Sequence, residues 1–351
     1  MTDRIERLRA EIERLEVASF LVSNPVNVFY LTGFESSNAF AFVRREDVVL
    51  ITDGRYAEAA RTVDGVEVAV VERDFLPGLA AEVAGLADGP VGFESDHLTV
   101  ARHADLLSTG VELVPVAAVV VTLRALKERS ELDAIRRAAR IVDDVLVRLA
   151  GEKIVGRTEA EVAWWIVQAI HDEGADDISF EPIVGSGPNA ALPHHHPGDR
   201  RIGAGETVVV DLGAKVDAYC SDCTRTFATG DLPPELDEAY AVCQKAQAAA
   251  LAEVRTGADV RALDTIARME IEAAGQEVLH GLGHGVGLEV HELPVLRPTA
   301  AGSLVAGNVV TVEPGVYLPG RGGVRIEDLV VVTDSVPEVL SGFTKDLTTL
   351  D

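Results

Sequence analysis

The sequence predicts an α+β protein of two domains, a smaller α/β domain over residues 1–123 and a larger α+β domain over 124–351. Three observations predict this organisation. The chain has 351 residues, 47% of them hydrophobic, which is long for one domain and apolar enough for a sizeable core. Short β-rich runs alternate with helical segments up to residue 123. From Leu126 onward, long amphipathic helices surround a strand-rich centre.

The first domain begins with a charged amphipathic helix, MTDRIERLRAEIERLE, in which Leu8, Ile12 and Leu15 share one side. Its many charges are not those of a secretory signal peptide. The strands predicted after it are SFLVS, NVFYLTG, AFAFV, DVVLITD, VGFE and VELVPV, and helices are predicted over 56–62 and 76–86. The longest apolar run, 113–123, has 11 residues and is too short to cross a bilayer, so we expect no membrane association.

The second domain opens with a predicted helix over 127–149, in which apolar residues recur at helical spacing. The next helix, over 158–172, begins with a capping box formed by Thr158 and Glu161. A strand-rich centre follows, then helices over 235–254 and 260–273, and then a glycine-rich end with further strands.

Charge and cysteine content narrow the possible partners and compartment. The formal net charge of −26 argues against nucleic acid, because phosphate contacts need clustered Lys and Arg, and makes cations the natural partners. Cys220, Cys223 and Cys243 are too few for a disulfide framework, so we expect a cytoplasmic protein. Cys220 and Cys223 are three apart on a predicted strand and point to opposite faces, which predicts buried packing and not one shared ion.

The stretch VVVDLGAKVDAYCSDCTRTF, residues 208–227, carries an aspartate in each of two β-rich runs. A hairpin turning near Val216 and Asp217 would place Asp211 opposite Asp222. Like charges directly opposed on one face destabilise a sheet. We therefore expect a positive group between these two carboxylates.

Three later apolar segments carry carboxylates and histidines: HGLGHGVGLEVHE (280–292), VVTVEPGVY (309–317) and GGVRIEDLVVV (322–332). If the last two pair as antiparallel strands, Glu313 faces Glu327. Four buried carboxylates and a histidine without matching Lys or Arg indicate bound divalent metal. Two such ions match the four carboxylates in formal charge. An oxygen-rich ligand set suits Mn²⁺, with Zn²⁺ or Co²⁺ as substitutes, and two ions flanking a water form a hydrolytic device.

These motifs resemble those of the pita-bread metallopeptidases, and within them the aminopeptidase P and prolidase branch, which removes residues preceding proline. The matching residues, in order, are Asp211, Asp222 in SDCTRTF, His284 in HGLGHGVG, Glu313 in EPGVY and Glu327 in GGVRIED. The resemblance runs from about residue 126 to 332. It implies a pita-bread catalytic domain preceded by a creatinase-type N-terminal domain, which in this family dimerises and walls the partner's site, so we expect a homodimer.

The resemblance also implies roles for these residues. One ion would be held by Asp211, Asp222 and Glu327, and the other by Asp222, His284, Glu313 and Glu327. Water would attack the scissile carbonyl, with Glu313 as proton acceptor and later donor. His291 matches the histidine that stabilises the tetrahedral intermediate or binds the scissile peptide, and His194 the histidine near the substrate amide. His280 and Arg325 match positions behind the ligands or facing the substrate.

Other interpretations account for parts of the sequence. Three consecutive histidines, 194–196, cannot all face one ion in an extended chain, so one functional histidine is favoured. Creatine-type amidinohydrolysis on this fold runs without metals, and non-catalytic binding modules of this fold lose ligands, whereas this chain keeps all five. Methionine aminopeptidase shares the ligands but normally lacks the N-terminal domain.

The substrate within the leading interpretation is a short proline-containing peptide of undecided length. Many dipeptide-restricted prolidases carry an arginine just after the His-Glu-x-Pro segment, to hold the free carboxylate of proline. In HELPVLRP this place is taken by Val295, and Arg297 follows two residues later. If neither Arg297 nor a residue such as Arg44 or Arg45 closes the pocket, longer peptides fit, as in aminopeptidase P.

Overall fold

The computed structural model describes residues 2–71 and 75–350. The chain divides into two compact units, Met1–Arg124 and Ala125–Asp351. Among the described residues, no helix combines the length and the apolar character that crossing a membrane requires.

The first unit is a mixed sheet with helices. Its elements are α1 (Thr2–Arg14), β1 (Ser19–Val22), α2 (Pro25–Thr32), β2 (Ala39–Val43), β3 (Val48–Asp53), α3 (Ala57–Ala60), β4 (Glu67–Val71), α4 (Phe75–Leu86), β5 (Val91–Glu94), α5 (Val100–Ser108), β6 (Leu113–Val116) and α6 (Val119–Arg124). Within the described residues the strand order is β4-β3-β2-β1-β5-β6. The α/β character predicted for this part of the chain is confirmed.

The strand predicted over NVFYLTG is wrong, because Pro25–Thr32 is helix α2. Asn24 caps the helix by accepting a hydrogen bond from the Val26 backbone N–H, and Pro25 occupies its first turn. Gly33 ends it in the left-handed conformation, at φ 72°. Aromatic and β-branched residues suggested a strand, but the Asn-Pro start and the glycine stop are the stronger signals for a helix.

The second unit contains the segments with the candidate site. Its elements are α7 (Arg129–Leu149), α8 (Glu159–Asp172), β7 (Asp177–Ile178), β8 (Ile183–Ser186), a 3₁₀ turn (Gly187–Ala191), β9 (Thr207–Leu212), β10 (Ala214–Val216), β11 (Tyr219–Cys220), β12 (Cys223–Ala228), α9 (Pro234–Leu251), α10 (Val260–Ala273), β13 (Gly283–Gly285), β14 (Glu292–Leu296), β15 (Val309–Val312), β16 (Gly315–Leu318), β17 (Gly322–Arg325), β18 (Asp328–Val331), β19 (Glu338–Val339) and β20 (Thr348–Thr349).

Two sheets of this unit, each backed by a pair of helices, hold its apolar cores. The sheet β20-β12-β9-β8 packs its valines and Phe227 against α7 and α8, in a cluster with Leu146 and Ile166. The sheet β14-β13-β15-β18-β19 packs against α9 and α10, in a cluster with Leu263 and Val310. The described cysteines are buried free thiols, as the packing interpretation predicts.

The predicted pairing of Asp211 with Asp222 is wrong by two residues. β9 and β12 are antiparallel, but Asp211 lies opposite Thr224. The turn of the hairpin falls at Asp217 and Ala218, which both have positive φ, one residue later than expected. Because a shift of two residues preserves the side-chain face, Asp222 remains a diagonal neighbour of Asp211 just before β12.

The second carboxylate pairing follows the predicted register. β15 and β18 are antiparallel, with Val312 opposite Asp328, and β16 pairs with β17 with Gly315 opposite Arg325. Glu313 and Glu327 lie between these two paired regions at positions that the same register places opposite each other. Pro314 interrupts the strand at this point and frees both carboxylates from the regular ladder.

Candidate metal centre

Side chains from the ends of strands in both sheets meet in the second unit. Asp211 lies in β9, Asp222 precedes β12, His284 lies in β13, Glu313 follows β15, and Glu327 precedes β18. The Glu327 backbone N–H donates to the Thr224 carbonyl at 3.1 Å, which joins the two sheets beside these residues. Residues far apart in sequence are thus brought together by two antiparallel hairpins.

Asp222, His284 and Glu327 form a compact cluster. Each offers one ligand atom, and the three atoms lie within 4.8 Å of one another. His284 Nε2 lies 3.6 Å from Asp222 Oδ2 and 3.1 Å from Glu313 Oε1. On the other side of the ring, Nδ1 lies 3.1 Å from the Gly285 carbonyl oxygen, which can only accept. Nδ1 therefore donates to this carbonyl, and Nε2 faces the carboxylates, where it donates to Glu313 in the metal-free site and could ligate a metal once that proton is lost.

The electrostatics of the cluster are those of crowded acids. Burial, followed by the negative charges of Glu327, Asp211 and Glu313, raises the pKa of Asp222 well above its ordinary value. Burial and the charges of Glu313 and Asp211 do the same to the pKa of Glu327. Arg325 offsets part of this repulsion at Glu327, and a bound cation or added protons would relieve the rest.

The pKa of Glu313 shifts in the opposite direction to those of Asp222 and Glu327, because His284 lies beside it. Burial raises the pKa of Glu313, but the hydrogen bond and the charge of His284 outweigh it and lower the pKa to about 2. Burial lowers the pKa of His284, but its hydrogen bond to Glu313 raises it overall. Glu313 Oε1 also accepts a hydrogen bond from Thr311 Oγ1 at 2.9 Å. Glu313 is therefore an oriented, ionised carboxylate.

Two buried oxygens indicate that the residues fit a cation. Among the described residues, Asp211 Oδ1 and Glu327 Oε1 are buried and have no hydrogen-bond partner. The other oxygen of each carboxylate is engaged, Asp211 Oδ2 by Arg325 and Glu327 Oε2 by Thr224. A buried carboxylate oxygen without a donor is costly unless it ligates a metal. One imidazole and several carboxylates, without thiolate, form a donor set for a divalent ion of Mn²⁺ type.

Arg325 connects the acids to the residues around them. The residue is 3% exposed, and its side chain donates to Asp211 Oδ2 at 2.7 Å, to the Pro193 carbonyl at 3.0 Å and to the Tyr317 hydroxyl at 3.1 Å. The Tyr317 hydroxyl donates in turn to His280 Nε2 at 2.8 Å, because His280 Nδ1 donates to the Gly281 carbonyl. His280 is therefore neutral, in agreement with the lowering of its pKa by burial.

His291 and His194 border the cluster from the exposed side. The ring of His291 lies 4.2 Å from the ring of His284, centroid to centroid, and burial and the His284 charge lower the pKa of His291. His194 is exposed and directly follows Pro193, whose carbonyl accepts a hydrogen bond from Arg325 beside the acids. Both histidines therefore lie within reach of a molecule bound over the acids.

Val295 and Arg297 lie at the end of β14. Val295 pairs with His284, so its side chain shares the face of this candidate ligand. Arg297 lies beyond the strand, is exposed, and makes no ion pair with a described residue. In the first unit, Arg44 pairs with Asp47 and Arg45 with Glu13.

Sequence reasoning missed the threonines that orient the acids. Thr224 Oγ1 donates to Glu327 Oε2 at 2.8 Å and accepts from Arg325 Nε at 3.0 Å. Thr311 donates to Glu313. The available signal was the strand period of two: Thr311 precedes its partner Glu313 by two residues, and Thr224 follows Asp222 by two, so each shares the face of a candidate ligand.

Two family models match the chain, one in each unit. Residues 133–334 match metallopeptidase family M24, and residues 4–126 match the creatinase/prolidase N-terminal domain. An uncharacterized peptidase of Bacillus subtilis is 36% identical over 98% of this chain and 99% of its own. An uncharacterized peptidase of Staphylococcus aureus is 34% identical over 97% of this chain and 99% of its own.

Solved structures of similar proteins cover nearly the whole chain. An Xaa-Pro dipeptidase from Bacillus anthracis superposes with a TM-score of 0.95 at 33% identity, over 99% of both chains. A prolidase from Pyrococcus horikoshii gives 0.93 at 30% identity, over 98% of this chain and 99% of its own. An X-Pro aminopeptidase from Thermotoga maritima gives 0.88 at 30% identity, over 97% of this chain and 100% of its own. The predicted pita-bread fold with a creatinase-type N-terminal domain is confirmed.

Proposed function

The chain belongs to metallopeptidase family M24, and from this premise we propose that it is a dinuclear-metal exopeptidase that hydrolyses the bond between an N-terminal residue and proline. Its substrates are short proline-containing peptides. Relatives described as an Xaa-Pro dipeptidase, a prolidase and an X-Pro aminopeptidase support the choice of bond.

The observation that carries the proposal is the pair of buried carboxylate oxygens without hydrogen-bond partners among the described residues, Asp211 Oδ1 and Glu327 Oε1, together with the cluster of Asp222, His284 and Glu327. Asp211, Asp222 and Glu327 would hold one ion. Asp222, His284, Glu313 and Glu327 would hold the other. When bound, the ions supply Lewis-acid activation of water and of the scissile carbonyl.

The protein residues supply proton transfer and orientation. Glu313, ionised and held by Thr311, accepts a proton from the attacking water and returns it to the leaving amine. His291 donates to the oxygen that becomes negative during attack. His194 binds the substrate beside its amide. Arg325 and His280 position these residues. Arg325 donates hydrogen bonds both to Asp211 and to the Pro193 carbonyl, directly before His194.

Val295 supports acceptance of peptides longer than two residues. A valine on the His284 face cannot pair with the free carboxylate of a C-terminal proline, and Arg297 is exposed beyond the end of β14. We therefore place the enzyme with the aminopeptidase P type. Mn²⁺ as the metal, a cytoplasmic location and a homodimer are parts of the same proposal.

The test is release of free alanine from Ala-Pro and from Ala-Pro-Ala by metal-stripped protein, before and after reloading with Mn²⁺. We expect no release without metal, and release from both peptides with it, with Ala-Pro-Ala cleaved at least as well as Ala-Pro. Ala-Ala-Ala is the matched control without proline and should stay intact. No release from either proline peptide by metal-loaded protein would refute the function. Cleavage of Ala-Pro alone would refute the aminopeptidase assignment.

A further inference from the structure

A second buried carboxylate outside the metal centre holds the loop that carries His194. Glu159, in the first turn of α8, is 0% exposed. It accepts hydrogen bonds from the Ser186 backbone N–H at 2.8 Å, from Ser186 Oγ at 2.6 Å and from Asn189 Nδ2 at 3.1 Å. His195 Nε2 donates to its other oxygen, Oε2, at 2.8 Å. All of these donors lie in the segment 186–195.

This carboxylate is ionised in place. Burial raises the pKa of Glu159, but the hydrogen bonds from Ser186, His195 and Asn189 outweigh burial and lower it. An ionised carboxylate that accepts this many hydrogen bonds fixes its donors strongly. Glu159 is therefore an anchor for the segment and not a surface charge.

His194 lies between two anchored neighbours. On one side, the Pro193 carbonyl accepts a hydrogen bond from the buried Arg325. On the other side, His195 is held by Glu159. The His194 side chain itself is exposed, and makes no hydrogen bond or ion pair within residues 2–71 and 75–350. Its backbone is thus fixed from both sides while its ring is left available to a bound molecule.

We propose that Glu159 is a positioning residue for His194, acting through the hydrogen bond to His195. The inference rests on the proposed function, in which His194 contacts the substrate. It assigns a role to the middle histidine of the HHH segment: the His195 ring is held by Glu159 of α8 and thereby orients the neighbouring His194.

The first test is a double-mutant cycle on kcat/KM for Ala-Pro-Ala. Glu159→Gln should cost about tenfold, the lower end of the scale for partners that orient a functional side chain. The Gln side chain has one oxygen in place of two, so it cannot accept from both His195 Nε2 and the Ser186 donors. In the His194→Ala background the same change should cost less than about twofold, because the residue it positions is gone. An equal cost in both backgrounds would overturn the proposal.

Two matched variants separate positioning from folding. His195→Gln places an amide N–H near the position of Nε2 and should restore most of the kcat/KM that His195→Ala loses. Glu161→Gln changes an exposed glutamate of the same helix turn and should leave kcat/KM unchanged. Equal losses in His195→Gln and His195→Ala would also overturn the proposal.

A readout independent of catalysis is the His194 ring signal in NMR spectra of the full chain, labelled on histidine and loaded with diamagnetic Zn²⁺. His194→Ala assigns the signal. Glu159→Gln should shift or broaden it, whereas His195→Gln should not. If the wild type releases no alanine from either proline peptide, the proposed function fails and this signal alone decides the positioning role. An unchanged signal in Glu159→Gln would refute that role.

Discussion

Asp222 is unfavourable for the metal-free fold, although the proposed chemistry requires it. It is 5% exposed and surrounded by Glu327, Asp211 and Glu313, and burial together with these charges raises its pKa. A raised pKa means that the folded state holds a proton more tightly than the unfolded chain. The ionised form of Asp222 therefore destabilises the metal-free fold at neutral pH, and the cost falls away as the pH is lowered.

Asp222→Asn separates the effect of this carboxylate on the stability of the metal-free fold from its proposed role in binding metal. The neutral amide removes one like charge, so the Tm of the metal-free variant should rise at pH 7.5 by about 2–4 °C, or ~1 kcal/mol. The same variant lacks one of the proposed metal ligands. The stabilisation by Mn²⁺, about 2.7 kcal/mol at a hundredfold excess over Kd in the wild type, should disappear together with alanine release.

Thermal unfolding with and without Mn²⁺ measures both changes. Asp231→Asn is the matched control, since Asp231 is exposed and should show the wild-type response to metal. A normal rise in Tm on adding Mn²⁺ to Asp222→Asn would contradict the ligand assignment.

At the scale of elements, a two-residue turn sets which residues face each other in the first hairpin. Lys215 pairs with Cys220 and Val216 with Tyr219, which leaves Asp217 and Ala218 as the turn. Their φ angles are 49° and 70°. Such a turn favours Asn or Asp followed by Gly, and alanine is a poor residue for its second position. The pattern of β-rich residues alone located this turn only to within one residue.

Ala218→Gly should therefore stabilise the protein. A left-handed alanine costs about 1–2 kcal/mol, and the extra chain entropy of glycine offsets part of that gain, so we expect a net gain of about 0.5–1 kcal/mol in urea unfolding. Ala248→Gly is the control: Ala248 is exposed within α9, where glycine should cost about 0.5–1 kcal/mol. A loss of stability in Ala218→Gly would show that the turn is not under this strain.

Local signals in the sequence predicted local features well. The boundaries of α10 and the capping box of α8 are those predicted from periodicity and caps. The same reasoning failed at α2, where strand propensities were weighed above the Asn24 cap and Gly33. Propensity is a weak signal over eight residues, whereas a cap and a stop each have a specific geometric cause.

Long-range polar partners could not be predicted in this way. The candidate ligands could be identified one by one, because each lies within a motif. Glu159 pairs with His195 across 36 positions, and Arg225 with Asp328 across 103. Nothing in the neighbourhood of either member specifies the other. Such pairs follow from the arrangement of strands and helices, which periodicity does not determine.

At the scale of the whole molecule, the Arg225 and Asp328 pair joins distant segments of the second unit behind the metal centre. Both side chains are buried, and Arg225 Nη2 donates to Asp328 Oδ1 at 2.9 Å. Arg225 also donates to the backbone carbonyls of Glu327 and Phe343. Asp328 accepts from Gln247 in α9 at 2.8 Å and from Lys345 at 2.5 Å. One ion pair thus ties two strands, a helix and the C-terminal segment to the backbone of Glu327.

Asp328→Ala should therefore destabilise the protein by about 3–5 kcal/mol, the cost of leaving a buried charge without its partner. Urea unfolding measures this loss, and Asp334→Ala, at an exposed position, should change stability by less than about 0.5 kcal/mol. Removing both charges in Arg225→Met/Asp328→Leu should recover more than half of the loss, because Arg225 no longer leaves an unpaired charge in the core and Lys345, whose side chain is 30% exposed, can turn to solvent. Failure to recover would mean that the hydrogen bonds from Arg225 to the backbone, and not its pairing with Asp328, hold these segments together. Arg225 also donates to the Glu327 backbone carbonyl, so Mn²⁺ content should fall in Asp328→Ala. In the double variant, Mn²⁺ content should return together with stability only if the Glu327 carboxylate resumes its wild-type position.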